Sequence, residues 1–285
     1  MTTRPPAVAG LFYPANPEAL IGTIDRLVAA IAVAEGERLA EAYIVPHAGY
    51  RYSGPVAAEV YARLRRHAAD IDRIVLLGPA HRIPLAGLAV TGATRWNTPL
   101  GSVTIDGDGI AAVTAAGAMV DDAPHAEEHS LEVQVPFLQR VLDRDIPLLP
   151  VCVGWSTAEQ VAAVIEAALR DPPRTVVLCS TDLSHYLPDA EAQRRDARTA
   201  AAVMELSPDD IETNDACGVF ALRGLLHWAG AEPRARAVRL ALATSAATGG
   251  DPSRVVGYAA FALHRPGPNE SVEHGEDPSE RDQAV

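Results

Sequence analysis

Short apolar runs alternate with longer amphipathic stretches along this chain of 285 residues, and no other feature constrains its fold as much. The short runs are typical of strands, and the longer stretches are typical of the helices that connect strands in an α/β sheet. We predict strands at residues 42–45, 73–77, 146–153, 175–179, 237–243 and 255–263, and helices at residues 54–69, 130–142, 157–169, 189–205 and 219–228. The sequence therefore predicts an α/β fold.

Residues 131–137 carry a second pattern, because apolar and polar side chains alternate there as they do in a strand. Helical spacing returns from Leu138 to Leu142, and Pro136 is compatible with the start of a helix. We favour the helix for this segment.

No internal repeat and no linker rich in proline, glycine or serine divides the chain before Arg265. We predict a single domain over residues 1–265 and an acidic, disordered tail over residues 266–285. Six acidic residues and one arginine give this tail −5 of the formal net charge of −13. Such an acidic chain repels phosphate backbones, so we expect no nucleic-acid partner.

The chain has no lysine, so all 24 of its basic side chains are arginine. Without an ammonium group it can form neither a Schiff base nor the lysine contact of a phosphate-binding P-loop. The composition therefore excludes pyridoxal enzymes, P-loop ATPases and kinases.

The three cysteines lack CxxC spacing, and a chain of this length does not need disulfides to fold, which favours a reducing compartment. The apolar run Val8–Phe12 is too short for a signal peptide. No stretch approaches the 18 apolar residues that indicate a membrane span. We therefore expect a cytoplasmic protein without a membrane partner.

Polar side chains that bind metals or transfer protons follow three predicted strands. His47 comes after the strand at 42–45, His81 comes after the next strand, and Asp182 and His185 follow the strand at 175–179. Ligands of open α/β sheets bind at the carboxyl ends of the strands. We therefore expect these side chains to converge at one edge of the sheet.

Two neutral imidazoles need an anionic third ligand to hold a transition metal. The candidates for that ligand are Asp182, Glu128, Glu132 and Cys217. Cys217 stands at the start of the predicted helix 219–228, where unpaired amides and the helix dipole lower the pKa of a thiol and favour the thiolate. Cys152 and Cys179 fall inside predicted strands, and we interpret them as buried packing residues.

Several segments in order along the chain resemble the Memo family, which in prokaryotes includes AmmeMemoRadiSam system protein B. They are PHAGYRYSG at 46–54, LLGPAH at 76–81, WNTPLG at 96–101, EEHSLEVQVPFL at 127–138, STDLSHY at 180–186 and ACG at 216–218. The fold of this family is similar to that of the class III, LigB-type extradiol dioxygenases. The resemblance implies a three-layer α/β/α sandwich around a mixed, largely parallel sheet.

The resemblance also implies a metal site formed by His47, His81 and Cys217, with Asp182 and His185 in the same pocket. His185 matches the acid/base of the dioxygenases, and Asp182 would orient it or the metal-bound water. A thiolate replaces the carboxylate of the dioxygenase site, and sulfur favours copper, zinc or iron. The expected protein binds one metal ion, iron or copper ahead of zinc, and the site could serve metal handling or the redox chemistry of a dioxygenase-like oxidoreductase that acts on a small molecule.

Further residues are predicted to line the substrate pocket: His129, Glu128, Arg51, Tyr50 and Tyr186. Arg51 could anchor a carboxylate or phosphate, and the tyrosines could form an aromatic wall. His129 has two interpretations, as a pocket residue that orients a ligand and as a cap of the following helix.

Three other functions fit parts of the sequence. His125 to His129 match the HxxEH pattern of zinc peptidases, with Glu128 as the base. Cys217, His185 and Asp182 could form a nucleophilic triad, although this leaves His47 and His81 unexplained. The resemblance also allows a non-enzymatic module that binds peptides or proteins, and it suggests Ammecr-type and radical-SAM partner proteins.

Overall fold

The computed structural model of the chain describes residues 2–169 and 174–266. The predicted tail at 266–285 therefore lies outside the described residues, apart from its first residue. The helices are α1 (Pro17–Ala29), α2 (Tyr50–Arg66), α3 (Gly107–Ala115), α4 (Ala123–Ala126), α5 (Gln134–Leu142), α6 (Ala158–Ala168), α7 (Asp189–Met204) and α8 (Val219–Gly230). The strands are β1 (Thr3–Arg4), β2 (Ala42–Val45), β3 (Arg73–Pro79), β4 (Leu88–Val90), β5 (Arg95–Thr98), β6 (Gly101–Thr104), β7 (Met119–Val120), β8 (Leu148–Val153), β9 (Thr175–Ser180), β10 (His185–Leu187), β11 (Arg236–Thr244) and β12 (Val255–His264).

The large sheet is mixed and has a parallel centre. Its strand order is β10-β12-β2-β9-β3-β8-β4-β7, and β11 pairs with β12. Strands β2, β9, β3 and β8 are parallel to one another, whereas β12 runs antiparallel to β2 and β4 runs antiparallel to β8. The central strands are buried on both faces, which explains why they read as continuous apolar runs.

Helices cover both faces of this sheet. On one face, α1, α2 and α5 pack against side chains such as Tyr43 and Val45. On the other face, α3, α6, α7 and α8 pack against side chains such as Ile44. Successive residues of β2 thus point into two separate cores, as the period of a strand requires. The predicted three-layer α/β/α sandwich is confirmed.

The structure also contains elements that the sequence pattern did not predict. A small sheet of order β1-β5-β6 holds the N-terminus, and α1 and the short strands β4 and β7 were missed as well. The helix predicted at 130–142 is present, but it begins only at Gln134, because residues 130–133 form turns and the N–H groups of Gln134 and Val135 donate three residues back, to Leu131 O (3.2 Å) and Glu132 O (3.0 Å). Helix α2 begins earlier than predicted, at Tyr50, whose N–H donates to Phe12 O (2.8 Å).

The parallel centre places the carboxyl ends of β2, β3 and β9 at one edge of the sheet. The loops that leave these ends carry the histidines and the aspartate singled out in the sequence. None of the described helices has the length and apolar character that crossing a membrane requires.

Candidate metal centre

His47 lies just beyond β2 and is almost fully buried, with 2% of its surface exposed. Its backbone N–H donates to Asp182 Oδ1 (2.8 Å), which ties the β2 loop to the β9 loop. Its ring nitrogen Nδ1 lies 3.0 Å from Ser180 Oγ, and its Nε2 lies 3.2 Å from Cys217 Sγ. Both ring nitrogens are therefore engaged, and Nε2 faces the sulfur.

Cys217 is brought to this point by backbone pairing with the β9 loop. Its N–H donates to Asp182 O (3.2 Å), and its Sγ accepts a hydrogen bond from Asp182 N (3.3 Å). Gly218, which precedes α8, makes this approach feasible, because a Cβ there would lie 2.9 Å from the Thr181 side chain. The sulfur is thus fixed at the same edge of the sheet as His47, where it faces His47 Nε2.

His81 lies just beyond β3, closer to the surface, and Glu128 orients its ring. Nδ1 of His81 lies 2.9 Å from Glu128 Oε1, so this nitrogen is the protonated donor and Nε2 keeps its lone pair. Glu128 Oε1 also accepts hydrogen bonds from the N–H groups of His129 and Ser130, both at 2.8 Å. Gly78 permits this packing, because a Cβ there would meet the Leu131 side chain at 2.7 Å.

The ligand atoms of His47, His81 and Cys217 all lie within 4.8 Å of one another. Around a tetrahedral ion with metal–nitrogen bonds near 2.0 Å and metal–sulfur bonds near 2.3 Å, such atoms are about 3.3–3.6 Å apart. The separation of 3.2 Å between His47 Nε2 and Cys217 Sγ is close to that spacing. The structure therefore brings together the three side chains that were predicted to share an ion.

A second group of metal-binding side chains shares His81 and adds Glu128 and His129. In this group the Glu128 carboxylate is already occupied by N–H groups of His81, His129 and Ser130. Burial raises the pKa of Glu128, but its contacts with His129 and His81 outweigh this effect and hold the pKa well below its usual range. We therefore interpret Glu128 as the carboxylate that orients His81.

Burial keeps both members of the His47–Cys217 pair neutral. It lowers the pKa of His47 well below 6.5, and the nearby rings of His81 and His129 add to this effect. Burial also raises the pKa of the Cys217 thiol, with a further contribution from the Asp182 carboxyl. The predicted lowering of the Cys217 pKa is therefore wrong for the metal-free chain, because desolvation outweighs the field of the helix terminus.

Asp182 lies in the loop after β9 and His185 begins β10, and the two side chains have different hydrogen-bond partners. Asp182 is buried and accepts the backbone N–H of His47, and burial raises its pKa. His185 Nδ1 lies 2.8 Å from Leu183 O, which accepts but cannot donate, so Nδ1 carries the proton and Nε2 is the basic nitrogen. The predicted orientation of His185 by Asp182 is thus replaced by orientation through a backbone carbonyl.

The rings of His129, His47 and His81 form one aromatic group. His129 stacks on His81 with centroids 4.7 Å apart and meets His47 edge-on at 5.3 Å. The Phe12 ring also packs against His129, with the two centroids 4.6 Å apart. Nδ1 of His129 lies 3.1 Å from Glu128 Oε1 without hydrogen-bond geometry, so its contacts at the site are mainly ring contacts. His129 therefore lies against the predicted ligands and does not cap α5, which begins five residues later.

Other residues predicted to line a substrate pocket lie in different surroundings. Tyr50 is buried in the core, and its hydroxyl donates to Val133 O (2.6 Å). Arg51 is exposed and lies over the Tyr52 ring. Tyr186 is 62% exposed beside His185, and it has a positive φ of 60°. Tyr186 thus lies at the surface near the site, whereas Tyr50 serves the core.

Glu132, a candidate third ligand in the sequence, has a structural role. Its carboxylate pairs with Arg4 Nη1 (2.6 Å) and accepts the Tyr13 hydroxyl (2.6 Å), and it is 1% exposed. Arg4 also donates to the carbonyls of His125 (2.7 Å) and Glu128 (2.8 Å). These contacts fasten the N-terminus to the segment that carries Glu128.

The HxxEH interpretation of residues 125–129 is not compatible with the structure. Helix α4 ends at Ala126, so His125 and His129 do not lie on successive turns of one helix. His125 is buried, with Nε2 3.1 Å from Ala89 O and Nδ1 3.5 Å from Cys152 Sγ. Within residues 2–169 and 174–266, no group of potential metal ligands includes His125. The nucleophilic triad is likewise unsupported, because Cys217 Sγ contacts His47 and Asp182 accepts from His47.

Sequence reasoning missed three buried polar residues behind His47. Ser180, Gln134 and Tyr61 are each at most 1% exposed and are connected by hydrogen bonds. One signal was present, because Gln134 is a polar residue in a segment whose neighbours Val133 and Val135 are apolar. A buried amide needs partners, and its partners here lie far away in the sequence.

Comparison with known proteins agrees with the resemblance stated above. The model of the family described as "Memo-like protein" matches residues 4–262. A MEMO1 family protein of Methanopyrus kandleri is 36% identical over 281 residues, covering 92% of this chain and 99% of that protein. A MEMO1 family protein of Archaeoglobus fulgidus is 37% identical over 272 residues, covering 91% and 99%.

A further relative and one solved structure complete the comparison. A MEMO1 family protein of Ignicoccus hospitalis is 36% identical over 290 residues, covering 93% of this chain and all of that protein. The crystal structure of an uncharacterised protein from Escherichia coli K12 matches with a TM-score of 0.49 and 15% identity, over 80% of this chain and 100% of that chain. On the evidence of the family model and the relatives that match along nearly their whole length, this chain belongs to the Memo-like family.

Proposed function

We propose that this protein binds one transition-metal ion through His47, His81 and Cys217. The observation that carries the proposal is that three distant loops bring two imidazoles and one thiol within 4.8 Å of one another. His47 and His81 follow the carboxyl ends of β2 and β3, the two parallel strands that flank β9. Ligands of such sheets bind at this edge.

The chemistry of the donor set fits a soft or borderline ion. Two neutral imidazoles and one thiolate suit copper, iron or zinc, whereas calcium and magnesium require oxygen ligands. Glu128 holds the hydrogen of a neutral His81 ring on Nδ1, so Nε2 is the nitrogen that can bind a metal. Cys217 must release its proton to bind, because burial keeps the free thiol neutral.

We further propose that the bound ion is iron or copper and that the protein is an oxidoreductase acting on a small molecule. Such an ion would supply a redox-active centre. His185 would hold or transfer a proton at Nε2, because its Nδ1 proton is committed to Leu183 O. Asp182 would hold the loops of His47 and Cys217 together through its backbone and side chain.

The metal content of the purified protein tests the first step. We expect about one equivalent of iron, copper or zinc in the wild type and loss of that metal in His47→Ala and Cys217→Ser. Cys152→Ala is the matched control, because this cysteine is buried in β8 and belongs to no group of metal ligands among the described residues. Metal-free wild type, or equal occupancy in Cys217→Ser, would refute the site. Oxygen uptake by the iron- or copper-loaded protein tests the redox step.

Peptide binding is a second candidate function, and exposed aromatic side chains favour it. Trp155 is 80% exposed just beyond β8, and Tyr186 is 62% exposed beside His185, so both lie at the edge of the sheet that carries the metal ligands. Aromatic side chains of this kind are common anchors of peptide ligands. Under this hypothesis Trp155→Ala weakens the binding of an aromatic peptide, whereas Cys217→Ser leaves it unchanged.

A further inference from the structure

A chain of buried hydrogen bonds extends from the core to the ring of His47. Tyr61, Gln134, Ser180 and Ser130 are each at most 1% exposed. The chain connects helix α2, helix α5 and strand β9 with the loop that carries His47. Because no solvent reaches these groups, each donor and acceptor must be matched within the protein.

The first link fixes the amide of Gln134. Its nitrogen Nε2 lies 2.9 Å from Pro46 O, which can only accept, so the NH₂ group must be on this side. Its oxygen Oε1 accepts the hydroxyl of Tyr61. The second hydrogen of Nε2 then points to Ser180 Oγ, at 2.8 Å. A flipped amide would place its oxygen against Pro46 O, which cannot donate, and against Ser180 Oγ, whose only hydrogen goes to Ser130 O.

The second link fixes the hydroxyl of Ser180. Its single hydrogen donates to Ser130 O, at 2.6 Å, and one of its lone pairs accepts from Gln134 Nε2. Ser180 Oγ therefore has only a lone pair left for His47 Nδ1, at 3.0 Å. Nδ1 of His47 must then carry a hydrogen, and Nε2 must be the unprotonated nitrogen that faces Cys217 Sγ.

We infer that Gln134 and Ser180 are positioning residues that hold His47 in the Nδ1–H tautomer and present the lone pair of Nε2 to the metal centre. The functional part of this inference rests on the proposed function, but the tautomer itself does not. His47 would then be prepared before any ion arrives, because neither its ring orientation nor its proton has to change on binding. Partners of this kind contribute about 10- to 100-fold to metal affinity.

Nuclear magnetic resonance of the metal-free protein tests the tautomer directly. The wild type is labelled with ¹⁵N-histidine, and the His47 signals are identified by their loss in His47→Gln. We expect one protonated nitrogen, Nδ1, and one unprotonated nitrogen, Nε2, in a single tautomer. A wild-type spectrum with the proton on Nε2 would overturn the inference.

Titration with Co²⁺ tests the consequence for metal binding, because sulfur-to-cobalt absorption reports ligation by Cys217. We expect Ser180→Ala to weaken Co²⁺ binding by about 10- to 100-fold relative to wild type and to mix the two His47 tautomers. Ser53→Ala is the matched control, because Ser53 is 2% exposed and donates to the nearby Ala48 O without contacting the His47 ring. Equal affinity in the two variants would overturn the positioning role.

Gln134→Leu provides a second variant in case Ser180→Ala does not fold. Loss of the amide donor frees the Ser180 hydroxyl to reorient, so we expect a minor Nε2–H tautomer of His47 to become visible. A single Nδ1–H tautomer in Gln134→Leu would refute the role of Gln134. If the wild type shows the Nδ1–H tautomer and binds no Co²⁺, the proposed metal function fails while the structural inference is upheld.

Discussion

Replacing Glu128 with glutamine tests how the protein orients His81. The Glu128 carboxylate is 1% exposed and accepts four N–H groups, namely His81 N, His81 Nδ1, His129 N and Ser130 N. Glutamine has nearly the same shape, but one of its two terminal groups donates and cannot accept. Glu128→Gln therefore removes the charge and leaves at least one buried N–H group facing another donor.

The cost of this substitution follows from the number of bonds affected. A hydrogen bond to a charged group contributes about 1.5–3 kcal/mol and a neutral one about 0.5–1.5 kcal/mol. Loss of one bond and weakening of the other three, offset by easier burial of a neutral group, gives a decrease in unfolding free energy of about 3 kcal/mol. At about 2–4 °C per kcal/mol for a large domain, the melting temperature should fall by about 6–12 °C.

Thermal unfolding followed by circular dichroism, in the presence of a chelator, measures this effect without any contribution from bound metal. The control is Glu127→Gln, the same chemical change at the exposed neighbouring residue, where we expect a change within about 0.5 kcal/mol. In metal titrations Glu128→Gln should also lose about 10- to 100-fold in affinity. If the two variants unfold at the same temperature, the hydrogen bonds of Glu128 do not hold His81 as we argue.

Three further predictions concern the framework. Arg4→Leu should lower the unfolding free energy by about 3–5 kcal/mol in urea denaturation, because it leaves the buried Glu132 carboxylate without its cation. Burial lowers the pKa of His125 from 6.5 to about 4, so between these values the unfolded state binds a proton that the folded state excludes. Stability should therefore fall by up to about 3 kcal/mol as the pH drops through this window, and His125→Asn should remove that part of the pH dependence. Gly154→Ala should destabilise by about 2 kcal/mol or more on thermal unfolding, because its Cβ would lie 2.0 Å from the backbone oxygen of Leu85.

Matched controls separate these effects from general sensitivity to substitution. Arg174→Leu removes an exposed pair with Asp72, and its stability should stay close to that of the wild type. Gly107→Ala adds a methyl group where nothing lies within 4 Å of the new carbon, so its stability should stay close to that of the wild type. If Arg4→Leu destabilises the protein no more than Arg174→Leu does, the packing argument is contradicted. The same holds if Gly154→Ala destabilises it no more than Gly107→Ala does. A stability curve unchanged by His125→Asn between pH 6.5 and 4 would contradict the titration argument.

The sequence predicted the parts of the molecule that depend on local patterns. The central strands are continuous apolar runs because both of their faces are buried, and His47 and His81 follow directly after two of them. Parallel pairing then brings those two loops to one edge. The predicted fold class depends on these central strands and is confirmed. Several edge strands, such as Met119–Val120, are too short to carry a pattern.

Other features were missed or mistaken because they depend on contacts between distant segments. Helix α1 was missed for another reason, because its signals are local. Asn16 accepts the Ala19 N–H (2.9 Å), and Pro17 begins the helix. By contrast, the bond between Gln134 and Ser180 joins residues 46 positions apart. The rise in the Cys217 pKa likewise depends on burial and on Asp182, neither of which the residues around the helix start reveal.

The order of the ligands along the chain has a consequence during protein synthesis. His47 and Cys217 are separated by 170 positions, and β2, which leads to His47, lies between β9 and the last strand, β12. A ribosome must therefore release almost the entire domain before the His47 loop gains both of its neighbouring strands. If the proposed ion is bound, its ligands can therefore meet only after Cys217 has been synthesised, and capture by a shorter nascent chain is disfavoured.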